Sequence, residues 1–146
     1  MIMVLFGPPG CGKGTQAGII AKDIEMPHLS TGDMLRDAVK SKTETGLKAA
    51  SIMEEGKLVS DEIVINIIKD RICNSDCKNG FILDGFPRTV SQAKELDVML
   101  TTENMKVDLV VDFSVNDEAL ISRIEGRFSC GDCGEGYNDH TKLPTK

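Results

Sequence analysis

The chain has 146 residues, 40% of them hydrophobic, with no run of charge or low complexity, which is enough to bury one sizeable core. A formal net charge of −6 argues against nucleic acid or an anionic membrane as a partner, and no apolar stretch is long enough to span a bilayer. Five cysteines, spread over a glycine loop, a helix and a Cys-x-x-Cys turn, do not make an extracellular disulfide framework, so a reducing cytoplasm is the expected location.

The opening run Met1-Ile2-Met3-Val4-Leu5-Phe6 lacks a basic leader and is expected to be a core strand, not a secretion signal. It leads directly into Gly7-Pro8-Pro9-Gly10-Cys11-Gly12-Lys13-Gly14-Thr15. Glycines let the backbone wrap an anion so that several N–H groups converge on phosphates at the positive end of the following helix, and Lys13 adds a mobile cation. Ala17, Ile20, Ala21 and Ile24 share one face of that helix. Strand, loop and helix thus stand where a phosphate-binding P-loop requires them, with one departure: Gly14 separates Lys13 from Thr15.

Further along, Pro27-His28-Leu29 is a weaker strand, with His28 assigned a structural part. Ser30 to Ser60 contains short helical stretches broken by Gly32, Gly46 and Gly56, the pattern of an inserted helical flap. Val64, Ile67, Ile68 and Ile72 mark a helix face, Phe81 to Leu83 a third strand, Val107 to Phe113 a fourth, and Leu120, Ile121 and Ile124 another helix face. After Arg127, glycines and two cysteines replace regular periodicity. Cys73 and Cys77 straddle a helix end and are taken as structural thiols. Strands alternating with helices predict an α/β fold, a parallel sheet covered on both faces, with ligands beyond the carboxyl ends of its strands.

Two segments should open onto the same crevice as the P-loop. Ser30-Thr31-Gly32-Asp33-Met34-Leu35-Arg36 joins helix-capping residues to an arginine one turn into the helix, and Asp84-Gly85-Phe86-Pro87-Arg88 is followed by Gln92. An arginine offers a planar fork to a dianionic phosphate, while a side-chain amide donates and accepts at once, as an adenine edge demands. Asp84, ending a buried strand opposite the loop, is placed to hold magnesium or its waters, and Asp33 is a lesser candidate. Arg123 and Arg127, four apart, share a helix face and point together toward a triphosphate.

These segments together resemble the adenylate kinases, nucleoside monophosphate kinases with a P-loop fold, and the resemblance runs the length of the chain. It implies phosphoryl transfer from Mg-ATP to AMP, giving two ADP. Gly10, Cys11, Gly12, Lys13, Gly14 and Thr15 match the ATP loop, and Arg127, Gly136 and Tyr137 match ATP contacts of a mobile lid. Thr31, Arg36, Lys57, Leu58, Val59, Gly85, Phe86, Pro87, Arg88 and Gln92 match AMP-binding positions. Lys13, Arg88, Arg123 and Arg127 match catalytic positions, and Asp84 matches a magnesium contact made through water. Cys130 and Cys133 resemble half of the structural zinc site of long-lid members, a site that needs about four ligands, so zinc is expected only in a complete lid.

The expected organisation is a core domain of residues 1–29 and 60–126, an AMP-binding helical insertion over 30–59 and a partial lid over 127–146. A monomer acting on ATP, AMP and ADP is expected. Family members continue through the rest of the lid, a helix with two further arginines, a fifth strand and a final helix. The chain is therefore read as the N-terminal portion of such an enzyme, expected to bind zinc weakly and to show little phosphoryl transfer as it stands. Two alternatives remain open: a kinase for another nucleoside monophosphate, and a nucleotide-binding module without activity.

Overall fold

The apolar run near the start forms strand β1 (Ile2–Phe6), and its alternating side chains enter two different cores. Ile2 and Val4 pack on one side with Leu29, Ile68, Phe81, Leu83, Leu96 and Leu100, whereas Met3 and Leu5 pack on the other with Ala17 and Ile82. A computed structural model describes residues 1–54, 59–132, 136–139 and 142–144 of this arrangement. β1 lies between β3 (Phe81–Asp84) and β4 (Leu109–Asp112), with β2 (His28–Ser30) outside β3, and every pairing is parallel.

Helix α1 (Lys13–Asp23) covers one face of the sheet through Ala17, Ile20 and Ala21. Ile24, expected on that face, is the C-terminal cap residue and is exposed, because the helix stops one residue before the apolar spacing does. The other face is covered by α4 (Asp61–Ile72) and α5 (Val90–Thr102). The apolar stripe of α4 runs through Val64, Ile65, Ile68 and Ile72, so Ile65 takes the place expected for Ile67. Acidic Asp61 and Glu62 open this helix and Lys69 and Arg71 close it, each sign at the favourable end of the helix dipole.

Between β2 and α4 stand α2 (Thr31–Lys40) and α3 (Glu44–Glu54), the helices expected from the glycine-broken segment. The Ser30 hydroxyl caps α2 by accepting from the Asp33 amide at 3.3 Å, and Thr89 caps α5 by accepting from the Gln92 amide at 3.1 Å. After α4, a 3-10 turn (Ser75–Cys77) buries Cys77 while Cys73 stays exposed.

β4 departs from the expectation of a sheet covered on both faces: Leu109 is 44% and Val110 55% exposed. β4 is shorter than the apolar run Val107 to Phe113 suggested, and it forms one edge of the four-stranded sheet, β2 being the other. Helix α6 (Asp117–Glu125) follows, with Ile121 and Ile124 more exposed than their spacing implied. The irregular final segment contains a small antiparallel pair, β5 (Arg127–Ser129) and β6 (Gly136–Asn138), in which Phe128 stacks on Tyr137 with ring centres 5.8 Å apart. No helix among the described residues is long and apolar enough to cross a membrane.

Candidate active site

Parallel strands put the ends of β1, β2 and β3 at one edge of the sheet, and the three loops leaving them surround an open cavity of about 1350 Å³. The P-loop forms its floor. Gly10 and Gly12 adopt φ of +83° and +97°, which L side chains rarely tolerate, and Gly12 caps α1 in that conformation. Lys13 folds back across the loop, donating to the carbonyls of Gly7 at 2.6 Å and Pro8 at 2.9 Å. Its ammonium is thus held by the loop's own carbonyls, with the Cys11 sulfur 3.6 Å away. Gly14 and Thr15 also line the cavity.

Cys11 does not. It is buried, and its sulfur would stand 2.9 Å from a Cβ on Gly7, a position that Phe113 also crowds. The Cys11 side chain is a buried packing group of the loop, its sulfur 3.6 Å from the Lys13 ammonium, and its backbone N–H donates to the Pro8 carbonyl at 3.3 Å.

The opposite wall comes from β2, α2 and the turn after β3. Thr31 is buried and its hydroxyl donates to the Gly85 carbonyl at 3.1 Å. The Arg88 Nε donates to the same carbonyl at 2.7 Å. Gly85 has φ of +80°, and a side chain there would stand 2.9 Å from the Thr31 hydroxyl, so this turn needs a glycine. Arg36 also lines the cavity and is paired with Asp33 one turn back. Burial works against ionisation of Asp33, but Arg36 and the Ser30 hydroxyl together hold its carboxyl below the usual carboxylate range.

Phe86 lies in the core, 1% exposed, and Pro87 alone of that pair reaches the cavity. Gln92 is 5% exposed, with its oxygen accepting from the Arg88 amide at 2.7 Å and its nitrogen donating to Asp61 at 2.6 Å. Val59 is half-buried away from the cavity lining, and Lys57 and Leu58 lie outside the described residues.

Asp84, largely buried, faces the start of α1: its Oδ2 lies 3.3 Å from where a side chain on Gly14 would begin. The same oxygen is 3.3 Å from the His28 Nε2. His28, expected to be structural, thus reaches the cavity from the strand beside Asp84.

The third wall is α6 with the β5–β6 pair. A side chain on Gly10 would touch Ile124 at 3.0 Å and Leu120 at 3.5 Å, so α6 rests directly on the P-loop and brings Arg123 to it. The shared helix face expected for Arg123 and Arg127 does not exist, since α6 ends at Glu125 and Arg127 begins β5. Both arginines nevertheless line the cavity, joined there by Gly136 and Tyr137. The Asn138 side-chain amide fastens β6 to α6 by donating to the Arg123 carbonyl at 3.0 Å.

Comparison with known proteins agrees with this geometry. The sequence profile of the family described as adenylate kinase matches residues 5–143. The chain belongs to the adenylate kinase family. It is 56% identical to the adenylate kinase of Magnetococcus marinus over 142 residues, 97% of this chain and 67% of that protein. It is 51% identical to the adenylate kinase of Rhizobium etli and 49% identical to that of Caldicellulosiruptor bescii, in each case over 100% of this chain and 68% of the relative. The chain thus spans about two thirds of the length of these relatives. The P-loop kinase fold, with its parallel sheet flanked by helices, is the architecture observed.

Sequence reasoning passed over Asp61, which holds Gln92 from 31 positions away. No local pattern announces such a contact; only the pairing of an acidic helix start with a buried amide does. Of the expected zinc thiols, Cys130 is described, whereas Cys133 lies outside the described residues. Among the described residues no group of three or more His, Cys, Asp or Glu is arranged to hold a metal ion.

Proposed function

We propose that the cavity is the two-nucleotide site of an ATP:AMP phosphotransferase, moving the γ-phosphoryl group of magnesium-bound ATP to AMP and giving two ADP. The observation that carries this reading is that the P-loop lysine and the Thr31, Arg36 and Arg88 group face one cavity from different strand ends. One side suits a triphosphate and the other a monophosphate. In this reading residues 1–29 and 60–126 form the core, 30–59 the AMP-binding insertion and 127–146 part of a lid.

Lys13 exchanges its carbonyl partners for ATP phosphate oxygens, and the amides of Gly10 to Thr15, with that of Cys11 among them, complete the cradle. Arg36 and Arg88 hold the acceptor phosphate, Gln92 meets its base, and Lys57, Leu58, Val59 and the Gly85–Pro87 turn border it. Arg123 and Arg127 neutralise charge on the transferring group, and Gly136 and Tyr137 border ATP. The attacking oxygen of AMP is already anionic, so no side chain has to remove a proton; alignment and charge neutralisation suffice.

The residues fit magnesium: Asp84 is a hard oxygen donor held against the start of α1, and it would act through the ion's waters. When bound, the ion neutralises phosphate charge. Asp33 fits less well, because Arg36 engages its carboxylate. Structural zinc on Cys130 and Cys133 remains a proposal for a complete lid.

The test is nucleotide titration of the chain together with ADP formation from AMP, GMP, UMP and CMP in a form extended to the length of the relatives. Lys13→Ala should weaken ATP binding at least about tenfold, as loss of a charge-assisted contact implies, and Arg88→Ala should do the same for AMP. Equal use of the four acceptors by the unmodified protein would overturn the adenine assignment.

A further inference from the structure

The Gln92 amide is held at both ends by groups of opposite character. Its Nε2 donates to Asp61 Oδ1 at 2.6 Å, and its Oε1 accepts from the Arg88 backbone N–H at 2.7 Å. The other carboxylate oxygen of Asp61 accepts from the Thr89 hydroxyl at 3.2 Å, and that hydroxyl in turn accepts from the Gln92 backbone N–H at 3.1 Å. A carboxylate only accepts and a backbone N–H only donates. Turning the amide over would set oxygen against oxygen at Asp61 and N–H against N–H at Arg88. At 5% exposure water has little access to relieve either clash.

We propose that Asp61 is a positioning residue for the choice of acceptor base: its carboxylate, with the Arg88 amide, fixes the sense in which Gln92 presents donor and acceptor. This rests on the reading of Gln92 as the group that meets the base. The two bonds use one of the two Nε2 hydrogens and one of the two Oε1 lone pairs. One donor and one acceptor remain, and a side-chain amide pairs with adenine through an exocyclic N–H beside a ring nitrogen acceptor. Hypoxanthine presents an acceptor oxygen beside a ring N–H, the same edge in reversed order. A fixed amide separates the two bases, and one free to turn over serves both.

The experiment is equilibrium titration of the chain with AMP and with inosine monophosphate, for the unmodified protein and for Asp61→Asn, Asp61→Glu and Gln92→Leu, with a thermal melt of each. Asparagine can offer either end of its own amide, so Asp61→Asn should lower the preference for AMP over inosine monophosphate about tenfold, within the range by which a misplaced buried polar group affects discrimination. Asp61→Glu, which keeps a carboxylate at the start of α4, should retain most of the preference. If Asp61→Asn does not fold, Asp61→Ser carries the same comparison.

A preference unchanged in Asp61→Asn but lost in Gln92→Leu would overturn the positioning role and leave Gln92 as the base contact. Equal weakening of both nucleotides with a lower melting temperature would overturn it in favour of a structural role. A preference untouched by Gln92→Leu, or no AMP binding by the unmodified chain, would sink the reading of the acceptor site itself and this proposal with it.

Discussion

Gly46 of α3 approaches Ala38 of α2 so closely that a Cβ on Gly46 would stand 1.9 Å from the Ala38 carbonyl oxygen. Backbone occupies that space, so no side-chain rotation can relieve the overlap. Gly46→Ala should therefore destabilise the protein by about 1–3 kcal/mol, the usual penalty of overpacking. Gly18, inside α1, has nothing within 4 Å of its missing Cβ. Gly18→Ala should instead stabilise by about 0.4–1 kcal/mol, since alanine has less freedom to lose on folding. Urea unfolding of both variants provides the comparison, and equal effects would contradict the close approach.

The sheet makes a second pair. Leu83 has no exposed surface, whereas Leu109 on β4 is 44% exposed. Leu83→Ala should cost about 2–5 kcal/mol, as a core cavity does. Leu109→Ala should cost less than half as much. Calorimetric melts would show whether the two positions separate in this order.

Burial raises the Cys77 thiol from 9.0 to about 11, against the favourable charge of Arg71 beside it. Arg71 donates to the sulfur at 3.1 Å while gripping Asp76 through two nitrogens, which locks the turn after α4. Of Cys11, Cys73 and Cys77, Cys73 should alkylate in the native protein, and the other two only after unfolding. The folded form holds this proton more tightly, so its contribution to stability is complete below pH 9.0 and is lost as pH rises toward about 11. Cys77→Ala should flatten that alkaline decline in a series of melts between those values.

Asp33 titrates in the opposite sense. Its carboxyl lies below its ordinary value of 3.8 in spite of partial burial, because Arg36 and Ser30 favour the charged form. The stabilisation is present above pH 3.8 and is lost as pH falls through the lower folded value. The pair is exposed, so the effect should stay below about 1 kcal/mol. Asp33→Asn should reduce the acid sensitivity of melting, and added salt should shrink the difference between the two proteins.

The four parallel strands and the phosphate loop were legible because their signals are local, whereas β5 and β6 carry no such pattern. An apolar run meeting Gly10, Gly12 and Lys13 needs no knowledge of distant residues, and the Ser30 and Thr89 caps follow from backbone chemistry. The helical spacing that points to Arg123 and Arg127 is not kept by the chain; both line the cavity because α6 lies on the P-loop and Asn138 ties the β5–β6 pair to it. Residues whose part depends on partners far along the chain were hidden. Cys11 is buried at Gly7, which Phe113 crowds from the end of β4, and His28 meets Asp84 only through the β2–β3 pairing.

The central place of β1 has a consequence for how the molecule is made. Ile2 pairs with Phe81 and Met3 with Leu109, so β1 is held on both sides by strands made much later than itself. Its loop arrives early in sequence but gains a rigid support only when those distant segments close upon it. Closures across such separations lose more chain entropy than local turns do, and they slow folding relative to a helical bundle of the same size. On a ribosome, the phosphate cradle therefore waits, unanchored, for the strand that ends at Asp112.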